Sequence, residues 1–153
     1  ADDALFKRAG KHWDEVDPAE WLDSDIYKVF LDAYCESSVT GEKALITLGK
    51  NIFPTKKRLG ELPDDITSAM DLLTYSTRSF PEDHRGVGIR PVKKIKAIEG
   101  DVIFDVPDHG YDCMVDEGVY LGILGMFGIM DGKVEQERCK KKGDSSCEFH
   151  ITW

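Results

Sequence analysis

The sequence predicts an α+β fold in which an antiparallel sheet carries helices on one side. Apolar residues recur at helical spacing through the first half of the chain, and alternating segments bounded by turn residues follow from residue 85 onwards. The order of elements is therefore helices first, then two strands, a helix and two further strands. This order is typical of α+β proteins.

Four helices are expected in the first half. They cover Asp3 to about Val16, Ser24 to Ser37, a segment that begins near Thr40, and a segment that opens near Leu62. The stretch Asp17-Pro18-Ala19-Glu20 combines N-cap, N1-proline and N3-acid signals, so it indicates a helix start of its own.

The second half predicts two hairpins around one helix. Strands are expected over Ile89–Ile98 and Val102–Val106, and the last hairpin turns near Gly143. Between the hairpins, Met114–Met130 reads as an apolar helix. Its three glycines, at 118, 122 and 125, share one face and cost about 1 kcal/mol each relative to alanine. Tight packing against a neighbouring element is expected there, and space for a ligand is the alternative.

Length and composition predict one domain over residues 1–153, with a mainly helical part at 1–84 and a ββαββ part at 85–153. The net charge of −9 argues against a nucleic-acid partner, because phosphate binding needs clustered cations. No apolar run reaches the roughly 18 residues of a membrane span. The first residues lack the features of a signal peptide, so a cytoplasmic protein with reduced thiols is expected.

Three cysteines of the last third form the strongest candidate site. With the final hairpin centred on Gly143, Cys139 falls opposite Cys147, and their Cβ atoms would lie roughly 4.5–5.5 Å apart. That spacing suits two thiolates that share one metal ion, and Cys113 would reach the same ion from the loop before the helix. Ordinary burial in the core is the alternative for all three.

A fourth metal ligand is less clearly marked. Simple strand alternation places Glu135 and Glu137 on the same face as Cys139, and a carboxylate on an apolar face is costly unless it is bound. Glu137 is therefore the first candidate, and Glu135, His109 and Asp112 are the others.

The closing segment Cys-Lys-Lys-Lys-Gly-Asp-Ser-Ser-Cys-Glu-Phe-His-Ile, with the earlier Gly-Tyr-Asp-Cys loop, resembles the 4-vinyl reductase domain family. The resemblance covers about residues 90–153. It implies the ligand-binding fold shared by NO-signalling domains and TRAPP-type Golgi-transport subunits, and also by phenol-sensing regulators. In those regulators three cysteines and an acid hold zinc, so it implies a structural zinc ion at Cys113, Cys139 and Cys147. At the position of that acid this chain has Gln136.

The function implied is a small-molecule-sensing or regulatory domain that binds a small hydrophobic or aromatic ligand. A homodimer and a fused or separate output domain are expected with it, and no enzymatic activity, because no catalytic constellation stands out. An accessory protein of tetrapyrrole biosynthesis and a structural assembly subunit are the alternatives. Six residues are candidates for the ligand pocket: Met70, Phe80, Tyr120, Leu124, Phe127 and Met130.

A haem nitric-oxide sensor shares this broad fold and provides a separate test. That family uses a Tyr-x-Ser-x-Arg motif and a histidine upstream of it. The nearest match here is Tyr75-Ser76-Thr77-Arg78, which has the wrong spacing, and only His12 precedes it. Haem ligation in that mode is therefore not expected.

Overall fold

The computed structural model describes residues 2–17, 21–86 and 89–153. The chain divides into two compact units, of which the first ends at Leu45 and the second spans Ile46–Trp153. The prediction of a single domain stays a prediction. Most of the helix start expected at Asp17-Pro18-Ala19-Glu20 lies outside the described residues.

The first unit contains two helices, α1 (Asp2–Ala9) and α2 (Ser24–Ser37). The sequence predicted a longer first helix, but α1 stops where Gly10 adopts a φ of +70°, a conformation that ends helices. A short 3-10 turn follows at Trp13–Glu15. The bounds of α2 match the prediction, and Asp23 caps it by accepting a hydrogen bond from the backbone two residues on.

Four more helices follow: α3 (Ala44–Lys50), α4 (Ile52–Leu59), α5 (Ala69–Asp83) and α6 (Cys113–Met126). The single helix predicted from Thr40 is thus split, because Pro54 has no N–H to donate to the carbonyl of Lys50. In the described part of the chain, no helix has the length and apolar character needed to cross a bilayer.

The second unit holds one antiparallel sheet of four strands in the order β1-β2-β4-β3. The strands are β1 (Lys93–Ile98), β2 (Asp101–Val106), β3 (Lys133–Arg138) and β4 (Cys147–Thr152). Alternate residues of the two central strands are buried in one core with the side chains of α6. The structure therefore confirms the α+β prediction.

Helix α6 ends earlier than predicted. Gly128 takes a φ of +75°, and the N–H groups of Phe127 and Ile129 both donate to the carbonyl of Leu124. Residues up to Met130 therefore form the turn that leads into β3 rather than a last helical turn.

Two of the three glycines of α6 lie against the backbone of α3. A Cβ placed on Gly118 would lie 2.2 Å from the Ile46 carbonyl oxygen, and one on Gly122 would lie 2.5 Å from that of Lys50. From the other side, a Cβ on Gly49 would lie 2.2 Å from the Val115 carbonyl oxygen. Tight packing is therefore confirmed at these two positions of α6. The third, Gly125, has nothing within 4 Å of an added Cβ.

Candidate functional site

The three cysteines of the second half converge in the core of the second unit. Cys113 is the first residue of α6, Cys139 follows β3 and Cys147 opens β4. Their sulfur atoms all lie within 4.8 Å of one another, and those of Cys113 and Cys139 are 3.9 Å apart. All three are buried free thiols. We call this group the thiol cluster.

Backbone N–H groups of the turn after β3 face two of these sulfurs. The turn Lys140–Lys142 is a 3-10 helix, and the N–H groups of Lys141 and Lys142 interact with the sulfur of Cys139. Burial alone would raise the pKa of Cys139, but these donors and the neighbouring thiols bring it below the ordinary value. Negative charge in the thiol cluster is therefore most favourable on Cys139.

The other two thiols are harder to ionise. Burial raises the pKa of Cys113 to about 11, although the Gln136 side chain acts in the opposite direction. Burial also raises the pKa of Cys147, against a backbone N–H from Lys140. Burial therefore disfavours the thiolate form at Cys113 and at Cys147.

A β-bulge decides which side chain of β3 faces the thiol cluster. The register against β4 shifts between Gln136 and Arg138, so Glu137 is an extra residue. Gln136 is paired with the buried Phe149, and its Nε2 atom is buried without a hydrogen-bond partner. The position expected for an acid is therefore occupied by an amide that interacts with Cys113.

The carboxylates predicted as fourth ligands lie on the opposite face of the sheet. The Glu137 Oε1 atom is 3.4 Å from Nδ1 of His150, and its side chain is 53% exposed. Glu135 is exposed and is the Cα partner of the same histidine. Simple alternation predicted the cysteine face for both, and the bulge accounts for the difference.

Neither remaining candidate ligand reaches the sulfurs. The His109 Nε2 atom lies 3.2 Å from Asp116, and its Nδ1 accepts the backbone N–H of Tyr111. Asp112 caps α6 by accepting the Met114 N–H at 2.9 Å. Among the described residues, the donor atoms at this site are three sulfurs.

The structure places the predicted ligand-pocket residues in different surroundings. Tyr120 and Leu124 are buried between α6 and the sheet, where the Tyr120 ring lies 5.5 Å from Phe104 and 5.4 Å from Phe149. Met70 and Phe127 pack at the edge of the same core. The sheet-facing side of α6 is therefore filled by side chains.

Phe80 belongs to a separate aromatic cluster. Its ring stacks on His84 at 4.1 Å and lies 4.8 Å from His109, and Tyr111 packs edge-on at 6.3 Å. The Nδ1 atom of His84 lies 2.8 Å from the Phe80 carbonyl oxygen, so it is the protonated nitrogen of this ring. The cluster adjoins the first turn of α6, because His109 contacts Asp116 there.

An open cleft of about 420 Å³ lies at the other end of α6. Leu124 and Met130, two of the predicted pocket residues, line it, and Met130 is 86% exposed. The remaining lining includes Lys50, Pro54, Leu121, Gly125 and Met126. Sequence reasoning missed this cleft, although Gly125, the glycine without a packing partner, marks its position.

Solved structures of H-NOX proteins share this architecture. An H-NOX protein from S. oneidensis in its Fe(II)NO ligation state gives a TM-score of 0.74 at 11% identity, over 97% of this chain and 86% of that one. A structure solved to probe haem distortion in the H-NOX family gives 0.75 at 16% identity, over 99% and 84%. The IWP-051-bound H-NOX from Shewanella woodyi gives 0.68 at 15% identity, over 98% and 82%. No family model and no curated protein sequence matches this chain.

These comparisons define the class of fold. The chain adopts the H-NOX fold, and at these identities the likeness extends to the fold alone. It corrects the family resemblance drawn from the sequence, since the structural neighbours are H-NOX domains rather than 4-vinyl reductase or TRAPP proteins. A motif of about a dozen residues around two cysteines was too short to identify the family.

The prediction of a zinc cofactor is also wrong. The neighbours are named for haem and its Fe(II) complexes, and none of those compared above is named for zinc. The local chemistry agrees, because structural zinc takes four ligands and this site offers three sulfurs and an amide.

Proposed function

We propose that this chain is a sensory domain that binds a small apolar molecule in the cleft beside Gly125. The observation that carries the proposal is the cleft itself, an apolar space of about 420 Å³ against the C-terminal half of α6. The fold supports it, because H-NOX neighbours are named in complex with NO or CO, which are small-molecule ligands.

The cleft suits a compact ligand with an apolar body. Its volume falls in the range of roughly 300–1,000 Å³ that is usual for small-molecule sites. Leu121, Met126 and Met130 offer adaptable apolar contacts, and the absent side chain of Gly125 provides depth. Lys50 contributes the cationic group of the lining, so a ligand with a weakly acidic or electron-rich end would be preferred.

The response would pass through the end of α6. Contacts of Gly118 and Gly122 with α3 hold the middle of the helix. Met126 is the last residue of α6, and Ile129 and Gly132 lie on the turn that connects α6 to β3; all three line the cleft. A ligand would therefore shift this turn and the strand behind it, and a second copy of the chain or an output domain would receive the change.

Haem is the ligand that the fold suggests, and the described histidines of the second unit do not offer it an axial ligand at the cleft. A haem iron needs a free axial nitrogen, sulfur or phenol oxygen at an apolar slot. Both ring nitrogens of His109 and of His150 have partners. His84 is packed in the aromatic cluster near the start of α6. Among the described residues, the cleft near the end of α6 is lined by the thioethers of Met126 and Met130 and by no histidine, tyrosine or cysteine.

A fluorescent probe tests the proposed site. 8-Anilinonaphthalene-1-sulfonate combines an apolar body with an anionic group, so it should bind the wild-type chain with one saturable site. Gly125→Leu should abolish binding because the leucine side chain fills the cleft, and Gly125→Ala should weaken it less. The thermal midpoint of both variants should stay at or above that of the wild type, because the glycine has open space beside it.

Ser37→Leu is the matched control, because it adds the same side chain to an exposed position of α2. Its probe binding should equal that of the wild type. Probe binding that is unaffected by Gly125→Leu, or absent from the wild type across apolar probes of similar size, would overturn the proposed function.

A further inference from the structure

We propose that Cys113, Cys139 and Cys147 form a binding site for a monovalent copper ion held by three sulfur ligands. The spacing is suitable, because three sulfurs placed about 2.3 Å from one central ion lie about 4 Å apart. The observed sulfurs lie within 4.8 Å of one another, and one pair is already at 3.9 Å. Small rotations of the side chains would close the site around an ion. This site is independent of the cleft and its ligand.

The number of ligands selects the ion. Zinc in a structural site requires a fourth donor. The described residues provide no imidazole or carboxylate within the group, and the Gln136 amide occupies the neighbouring space. Monovalent copper has a filled d shell, accepts three ligands in a plane and is selected by soft thiolate sulfur.

The buried amide of Gln136 gives a second, independent observation. Its side chain interacts with the sulfur of Cys113, but the buried Nε2 atom makes no hydrogen bond of ordinary geometry. An unsatisfied buried donor is costly, and a thiolate is a much better acceptor than a thiol. Conversion of Cys113 to a metal-bound thiolate would therefore satisfy this donor.

The surroundings favour an anionic site. Ion binding displaces the thiol protons, and one monovalent cation among three thiolates leaves negative charge. The N–H groups of residues 140–142 face Cys139 and Cys147, and Cys113 is at the N-terminus of α6, where anions are stabilised. The Asp116 carboxylate near Cys147 acts in the opposite direction.

Two basic side chains of the same turn lie close by. Lys140 pairs with Asp108, and Lys141 pairs with Asp112 at 2.6 Å. These pairs fasten the turn to the segment that precedes α6. The turn and the helix start, which together supply the three sulfurs, are thereby held in place before any ion binds.

The test is an anaerobic titration of the reduced, full chain with Cu(I) against a chromophoric Cu(I) chelator. We expect one ion per chain, and X-ray absorption should count three sulfur ligands. Cys113→Ser, Cys139→Ser and Cys147→Ser should each lower the Cu(I) affinity by more than the roughly 10–100-fold that loss of an outer-shell partner costs. Cys35→Ser, in α2, is the control and should leave the affinity unchanged.

Gln136→Glu provides a variant that gains a function. A carboxylate at this position would add a fourth ligand, so the preference for Cu(I) over Zn(II) should fall by at least about tenfold. Circular dichroism checks that each variant folds. If a serine variant does not fold, the number of sulfur ligands that X-ray absorption finds in the wild type decides the question. The proposal is overturned by wild-type protein that binds no stoichiometric Cu(I), by fewer than three sulfur ligands, or by a preference that Gln136→Glu leaves unchanged.

Discussion

Ser68 and Asp71 satisfy each other's backbone donors at the start of α5. The Ser68 hydroxyl oxygen accepts the N–H of Asp71 at 3.1 Å, and the Asp71 carboxylate accepts the N–H of Ser68 at 2.9 Å. The same carboxylate accepts the N–H and the hydroxyl of Thr67. This arrangement is a capping box, and it holds the helix that forms one wall of the core.

Loss of the serine should cost about 1 kcal/mol of unfolding free energy in Ser68→Ala, since an N-cap hydroxyl is removed. Urea denaturation followed by circular dichroism measures this. Ser76→Ala on the same helix is the control; its hydroxyl donates to a carbonyl within the helix, so its loss should cost less. An equal decrease in unfolding free energy in both variants would show that the N-cap hydroxyl contributes no more to stability than a hydroxyl within the helix.

The pH dependence of stability should change in Asp71→Asn. Hydrogen bonds from Ser68 and Thr67 hold the pKa of Asp71 below its ordinary value. A lowered pKa means that the folded state binds fewer protons, so this contribution is complete above the ordinary aspartate pKa and is lost as the pH falls through the folded one. Asp71→Asn should therefore lose less stability than the wild type between about pH 5 and pH 3. The prediction is contradicted if the unfolding free energy of Asp71→Asn falls with decreasing pH as steeply as that of the wild type.

The two kinds of glycine in α6 should respond oppositely to alanine. Gly118→Ala places a methyl group against the Ile46 carbonyl and should lower the unfolding free energy by about 1–3 kcal/mol. Gly125→Ala meets open space and should raise it by up to about 1 kcal/mol through helix propensity. Both values come from urea unfolding monitored by tryptophan fluorescence. The same sign at both positions would rule out the backbone contact as the cause.

His84 should make the protein less stable in mild acid. Burial lowers its pKa, against the hydrogen bond to the Phe80 carbonyl. The unfolded state therefore binds more protons near pH 6, so stability is lost as the pH falls through the ordinary histidine range. His84→Asn keeps a donor for that carbonyl and should flatten the loss between about pH 7 and pH 5.

Ring-proton NMR gives a direct check on His84. A hydrogen bond with Asp2 raises the pKa of His12, so the His12 midpoint should lie above the ordinary imidazole value and the His84 midpoint below it. The reverse order would show that burial does not govern His84.

Haemin should not be bound through a histidine. Titration of the wild-type chain with haemin should give no saturable spectrum of histidine-ligated iron, because the His84 ring and the apolar cleft lie at opposite ends of α6. Stoichiometric ligation that is lost in His84→Ala but kept in His12→Ala would contradict this. The spectrum is recorded by absorbance in both oxidation states.

Most of the elements, and the opposition of Cys139 and Cys147, could be predicted from the sequence because both depend on local patterns. Cys113 was expected to join them only if the following helix packs back over the hairpin. The turn at Gly143 determined which residues face each other, so the opposition of Cys139 and Cys147 followed from counting. The face of the sheet on which Glu135 and Glu137 lie was predicted wrongly, because a bulge adds one residue to β3 and reverses the alternation of its side chains. Nothing in the local sequence around Glu137 marks that insertion.

The cleft and the fold family could not be predicted from local patterns, because both depend on how elements distant in the sequence pack together. Gly118, Gly122 and Gly125 look alike in the sequence, and only the position of α3 separates the packed pair from the open one. Likewise, the H-NOX fold is defined by the arrangement of elements, which persists at 11–17% identity in these neighbours.

The contact between Gly49 and Gly118 also has a consequence for sequence variation. Each residue is close enough that a Cβ on either meets the backbone of the other helix, and the Gly118 Cβ would lie 3.0 Å from the Gly49 Cα. A larger residue on one side of a contact is usually accommodated by a smaller one opposite. No residue smaller than glycine exists, so neither position has a compensating change available. Among homologues that keep these helices in register, the pair should stay glycine while the residues around it diverge.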